Sequence, residues 1–124
     1  MDDAEHVRRL DALVDRIDSA AGRVFTAAER LSNEVDEAEA REVDEHGDAG
    51  RVGARTPRRW RRLEKLDDYA DAMTESVVAW TERANAIHAE RPSGRGRRWR
   101  QRRRLLSIAK QFERGAARLE TVHP

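Results

Sequence analysis

The sequence predicts an all-α fold, an elongated antiparallel three-helix bundle with coiled-coil-like heptad packing. Three observations predict it. Charged residues make up 40% of the chain and the hydrophobic set 38%, with 5% aromatic, the mix of long helices joined along a narrow apolar seam. Apolar residues recur in alternating steps of three and four over long stretches. Two short segments rich in glycine or proline interrupt that rhythm and divide the chain into three.

The first helix is predicted from about residue 3 to about 45. Val7, Leu10, Val14, Ile17, Ala21, Val24, Ala28, Leu31, Val35 and Ala38 occupy consecutive a and d positions of a heptad pattern. Gly22 falls on the outer face, costs about 1 kcal/mol relative to alanine, and allows a bend near Ser19. Residues 46–55 lose all periodicity and supply three glycines, as a flexible linker does.

Order restarts at Thr56-Pro57, a good N-cap followed by a residue suited to the first helical position. Leu63, Leu66, Ala70, Met73, Val77, Trp80, Ala84 and Ile87 carry the rhythm through a second helix of about 57–90. It stops before Pro92, whose ring disfavours helical geometry at Arg91. Ser93-Gly94 makes the turn. Leu105, Ile108, Ala109, Phe112, Ala116 and Leu119 form a wider stripe on a third helix of about 96–121, weakened slightly by Gly115. With short connections the helices run up, down and up. One domain over residues 1–124, shaped as a rod, is the expectation.

Composition also excludes whole classes of function. The chain has no cysteine, which removes disulfides and thiolate metal sites and is compatible with a reducing cytoplasm. The first residues are acidic and lack an apolar signal region, and no apolar run reaches bilayer length. A soluble, cytoplasmic protein without a membrane partner is expected.

The net charge of +1 conceals a polarised chain. Residues 1–50 hold 15 acidic and 6 basic residues, a balance of −9, and residues 51–124 hold 9 and 19, a balance of +10. Only Lys65 and Lys110 of the 25 basic residues are lysine. A GC-rich genome explains that ratio but not the clustering. Arg58-Arg59-Trp60-Arg61-Arg62 opens the second helix. Arg95, Arg97, Arg98, Trp99, Arg100, Arg102, Arg103 and Arg104 open the third, with no acid between Glu90 and Glu113. Cations at a helix N-terminus are disfavoured by about 0.3–1 kcal/mol each, so two such concentrations suggest an anion outside the helix. Arginine binds phosphate bidentately, and an exposed tryptophan stacks on an unpaired base.

A competing account neutralises the arginines internally. In an antiparallel bundle Glu34, Asp36, Glu37, Glu39, Glu42, Asp44 and Glu45 approach the first cluster, and Asp2, Asp3, Glu5, Asp11, Asp15 and Asp18 approach the second. Arg97 through Arg104 point all round their helix, so one acidic neighbour covers only one side. Helix-end packing is the corresponding alternative for Trp60 and Trp99. No zinc-finger spacing, RNP motif or GXXG clamp is present, so binding is expected to be backbone-directed and independent of sequence.

An all-helical chain of this size carrying Arg58-Arg59-Trp60-Arg61-Arg62 and the Arg95–Arg104 run resembles the small subunits of multi-subunit CRISPR effector complexes. The resemblance implies repeated copies of a helical bundle that contact one another and present basic faces to RNA or single-stranded DNA. The acidic first helix departs from that pattern.

Catalytic signals are weak. Asp67-Asp68-Tyr69-Ala70-Asp71 spells the DDxxD string of isoprenoid synthases, but on outer heptad positions of a chain too short for their cavity. Glu42 and His46 stand four apart as at most a two-ligand metal clip, and His6, His88 and His123 are dispersed. No nucleophile setting or phosphate-cradling loop appears. The expectation is a non-catalytic, cofactor-free subunit that binds nucleic-acid backbone within a larger nucleoprotein assembly. The alternatives are a coiled-coil adaptor or self-assembling scaffold without nucleic acid, and an antitoxin-like regulator.

Overall fold

The computed structural model describes residues 2–46 and 58–124, without the side chain of His46. Its three helices are α1 (Asp3–His46), α2 (Arg58–Ala89) and α3 (Arg95–Glu120), and there is no strand among the described residues. The protein is an all-α three-helix bundle. The expected helix limits agree to within a residue wherever they can be compared. The linker 46–55, the Thr56-Pro57 start and the imidazole of His46 lie outside the described residues.

Side-chain bridges reveal the helix directions. Arg16 meets Glu113 and Arg23 meets Glu120, both 97 residues apart, so α1 and α3 run parallel in fixed register. Ser32 meets Asp67 and His88 meets Asp11, pairs whose residue numbers both sum to 99, so α1 and α2 are antiparallel. The course is up, down, up.

The core follows the heptad rhythm. Leu10, Ile17, Val24, Leu31 and Val35 of α1 pack with Leu63, Ala70, Val77, Ala84 and Ile87 of α2 and with Leu105, Ile108, Phe112, Ala116 and Leu119 of α3. Because α1 has two partners it buries a wider stripe than the single seam expected. Ala20 and Ala27 are buried and Leu13 is half-buried, seven apart on the flank toward α3. Alanines there let the helices approach closely.

Two seam residues depart from the expectation. Val7 is 50% exposed. The register places it level with residue 92, beyond the end of α2, so that helix does not cover it. The neighbouring buried place goes to His6. Trp80 is 37% exposed, with the Arg83 guanidinium 5.1 Å from its ring centre.

α1 runs unbroken through Gly22, which has open space around it. At 1.5 Å per residue, α1 is about 66 Å long and α3 about 39 Å. α1 therefore outruns α3. Arg30 donates to the carbonyls of Leu119 and Val122 at 2.9 Å each and so closes the C-terminal end of α3. Beyond that level α1 continues against the start of α2.

Candidate functional site

The start of α3 is built where all three helices meet. α2 ends at Ala89, and Gly94, at φ +90°, lets the chain reverse through a conformation that side chains disfavour. Gly94 is the N-cap of α3, and no side chain caps the first N–H groups of that helix. The buried amide of Gln101 ties the corner together. Its Nε2 donates to the carbonyls of Ile87 at 2.8 Å and Glu90 at 3.0 Å, beside the Glu90 N–H and Arg91 Nη1 that these acceptors also receive at the end of α2. Its Oε1 lies 2.9 Å from His6 Nε2. Arg102 Nη1 lies 2.8 Å from His6 Nδ1. A guanidinium can only donate and an amide oxygen can only accept, so His6 is the neutral Nε2–H tautomer.

This corner sorts the arginines into two groups. Arg98 is bridged to Asp3 and Arg104 to Glu90 at 3.3 Å, while Arg102 bonds the neutral His6 and keeps its charge. The surplus is therefore narrower than the full run read from sequence. Arg95, Arg97, Arg100 and Arg103 are exposed and have no carboxylate within ion-pair distance among the described residues. Trp99 is 56% exposed, and the Arg103 guanidinium sits 5.6 Å from its ring centre.

The basic surface continues further along α3 than the cluster suggested. Advancing about 100° per residue, Arg100, Arg103, Lys110, Arg114 and Arg118 fall within about 80° of arc on the face opposite the core. No acid shares that face. The helix carries ten basic residues and two acidic ones, and both acids face α1 instead. Arg16 grips Glu113 through Nε at 3.2 Å and Nη2 at 2.6 Å, and Arg23 grips Glu120 in the same two-pronged manner. These hydrogen bonds hold both carboxyls below the ordinary glutamate value. The acids of α3 are thus consumed by α1, and the outer face keeps its charge. Lys110, Arg114 and Arg118 were not singled out by sequence because they are dispersed; the helical wheel is the signal that joins them.

α1 contributes a second pattern missed in the sequence. Arg9, Arg16, Arg23 and Arg30 stand seven residues apart along the flank facing α3.

The first cluster lies elsewhere. Because α2 is antiparallel, Arg58 to Arg62 sit at the opposite end of the bundle, about 40 Å from the start of α3. The two clusters do not form one patch. Trp60 corrects the sequence expectation: it is 2% exposed, packed at the helix end, and so offers no face to a base. Arg59 pairs with Glu42 at 2.7 Å. Arg58, Arg61 and Arg62 are exposed, lie beside Lys65, and have no carboxylate within ion-pair distance among the described residues. In the Asp67–Asp71 string, Asp67 accepts a 3.1 Å bond from Ser32 and belongs to the α1–α2 seam. Among the described residues, no three potential ligands converge on a metal position.

No family model, curated protein or solved structure matches this chain.

Proposed function

We propose that this chain is a non-catalytic helical subunit that binds nucleic-acid backbone without regard to sequence, inside a larger ribonucleoprotein or nucleoprotein assembly. In that role it would resemble the small subunits of CRISPR effector complexes. The observation that carries the reading is the quartet Arg95, Arg97, Arg100 and Arg103, exposed and without carboxylate partners among the described residues. They crowd a helix start that already carries partial positive charge and uncapped N–H groups. A polyanion relieves that repulsion and uses those donors. The outer face of α3 extends the contact through Lys110 and Arg114, and the α2 cluster supplies a second, separate contact.

Reversing the charge of Arg97, Arg100 and Arg103 to glutamate tests this. Affinity for a fluorescent single-stranded oligonucleotide should fall more than tenfold, with helicity by circular dichroism unchanged. Equal affinity in wild type and variant refutes the reading.

One set of observations favours a protein partner as well. Val7, Phe25 and Val78 are apolar and 40–50% exposed. Light scattering with and without added RNA separates the cases, since a scaffold self-associates without the polyanion.

A further inference from the structure

We infer that the groove between α1 and α3 beside Trp99 holds an unpaired nucleobase, which makes the chain a binder of single strands rather than of duplex. The inference rests on the backbone-binding reading and specifies its ligand. The groove is open to solvent and has a volume of about 450 Å³. Its apolar lining is Ala12 and Leu13 of α1 with Trp99 and Leu106 of α3, and four arginines complete it.

The helix register explains why it is open. Trp99, Leu106, Glu113 and Glu120 stand seven apart on the flank of α3 that meets the arginine ladder of α1. Further along, Arg16 and Arg23 close this seam by gripping Glu113 and Glu120. At the level of Arg9 the equivalent α3 position is Leu106, which offers no carboxylate. Arg9 turns back to Glu5 at 3.1 Å, an exposed pair in the same helix and a weak one. The seam therefore stays unzipped at one end, with an apolar lining among cations.

Trp99 is the other half of the argument. Trp99 is 56% exposed, the most exposed large hydrophobic side chain among the described residues. Arg103 lies over the ring without hiding it. More than half of the residue stays open to solvent, and an exposed indole can stack on any base. Arg9, Arg16, Arg102 and Arg103 edge the groove against two nearby carboxylates, Glu5 and Glu113, so its charge is positive. A base on the apolar lining with its phosphates on the arginines satisfies both chemistries. Duplex DNA, with its bases already stacked, cannot fill it.

The test compares an oligothymidine of about ten nucleotides with an abasic oligomer of equal length at low salt. Both carry the same phosphates, and only one carries bases. Wild type should prefer the thymidine oligomer by about 5- to 150-fold, the range for one base stacked on an aromatic ring. Trp99→Ala should lose that preference while still binding the abasic oligomer, and Trp99→Phe should keep much of it. Equal affinity of wild type for the two oligomers overturns the inference and leaves backbone binding intact. A Trp99→Ala variant that keeps the preference overturns it too, as does a wild type that binds a duplex of equal length, added as a third ligand, more tightly than the oligothymidine. No binding of either oligomer defeats both readings.

Discussion

Gln101 shows how one amide organises the site without touching a ligand. It is 2% exposed and bonded to His6, Ile87 and Glu90, and thus to all three helices. Gln101→Leu keeps the bulk but strands the His6 N–H, whereas the Ile87 and Glu90 carbonyls keep the Glu90 N–H and Arg91 as donors. Leaving such a group buried and unpaired costs about 1–3 kcal/mol, so urea denaturation should show a loss of that size. A variant as stable as wild type would show that the corner does not depend on these bonds. Glu113 and Glu120 make a different prediction. Arg16 and Arg23 hold their carboxyls below the ordinary glutamate value of about 4.3. A lowered folded value means that their contribution is fully present above the unfolded value and is lost as pH falls through the folded one. Melting temperature should therefore drop below about pH 4. In the double variant Glu113→Gln, Glu120→Gln that part of the decline should be absent. An identical acid limb in both proteins would contradict the assignment.

At the level of the helices, number and limits are legible because a seam of threes and fours, broken by Gly and Pro segments, has few other solutions. The second flank of α1 is not legible in the same way. Leu13, Ala20 and Ala27 look like outer positions until a parallel α3 covers them. Val7 fails for the converse reason, since its place in the rhythm is sound but its partner helix has already ended. Trp60 and Trp99 sit in matching arginine motifs yet have opposite fates, one 2% and the other 56% exposed. Local sequence cannot separate them, because each outcome depends on which helix lies opposite. Gly22 is the clearest spare capacity in α1, with nothing within 4 Å of an added methyl. Gly22→Ala should add about 1 kcal/mol and raise the melting temperature by a few degrees. A lower melting temperature would mean that Gly22 permits a bend or contact that alanine forbids.

For the molecule as a whole, the polarised charge resolves into a pattern set by helix direction. The acidic first helix spends Asp3, Glu5 and Asp11 on Arg98, Arg9 and His88 near one end, and Glu42 on Arg59 near the other. Its own arginines meanwhile consume the two acids of α3. What is left is a basic outer face on α3, a separate basic end on α2, and exposed acids along α1 and the rest of α2, such as Asp15, Asp18, Asp71 and Glu75. Polarity of this kind was visible in the sequence; its division between two ends about 40 Å apart was not, because that follows from the antiparallel course of α2. The central claim is that the unpaired arginines of α3 engage phosphates directly, and counterion release measures such engagement. Affinity for a single-stranded oligonucleotide should therefore be measured from about 50 to 200 mM salt. If about six phosphates are engaged, log K against log salt should fall with a slope of roughly −4 to −5. A flat dependence, or no binding at the lowest salt, would contradict the account.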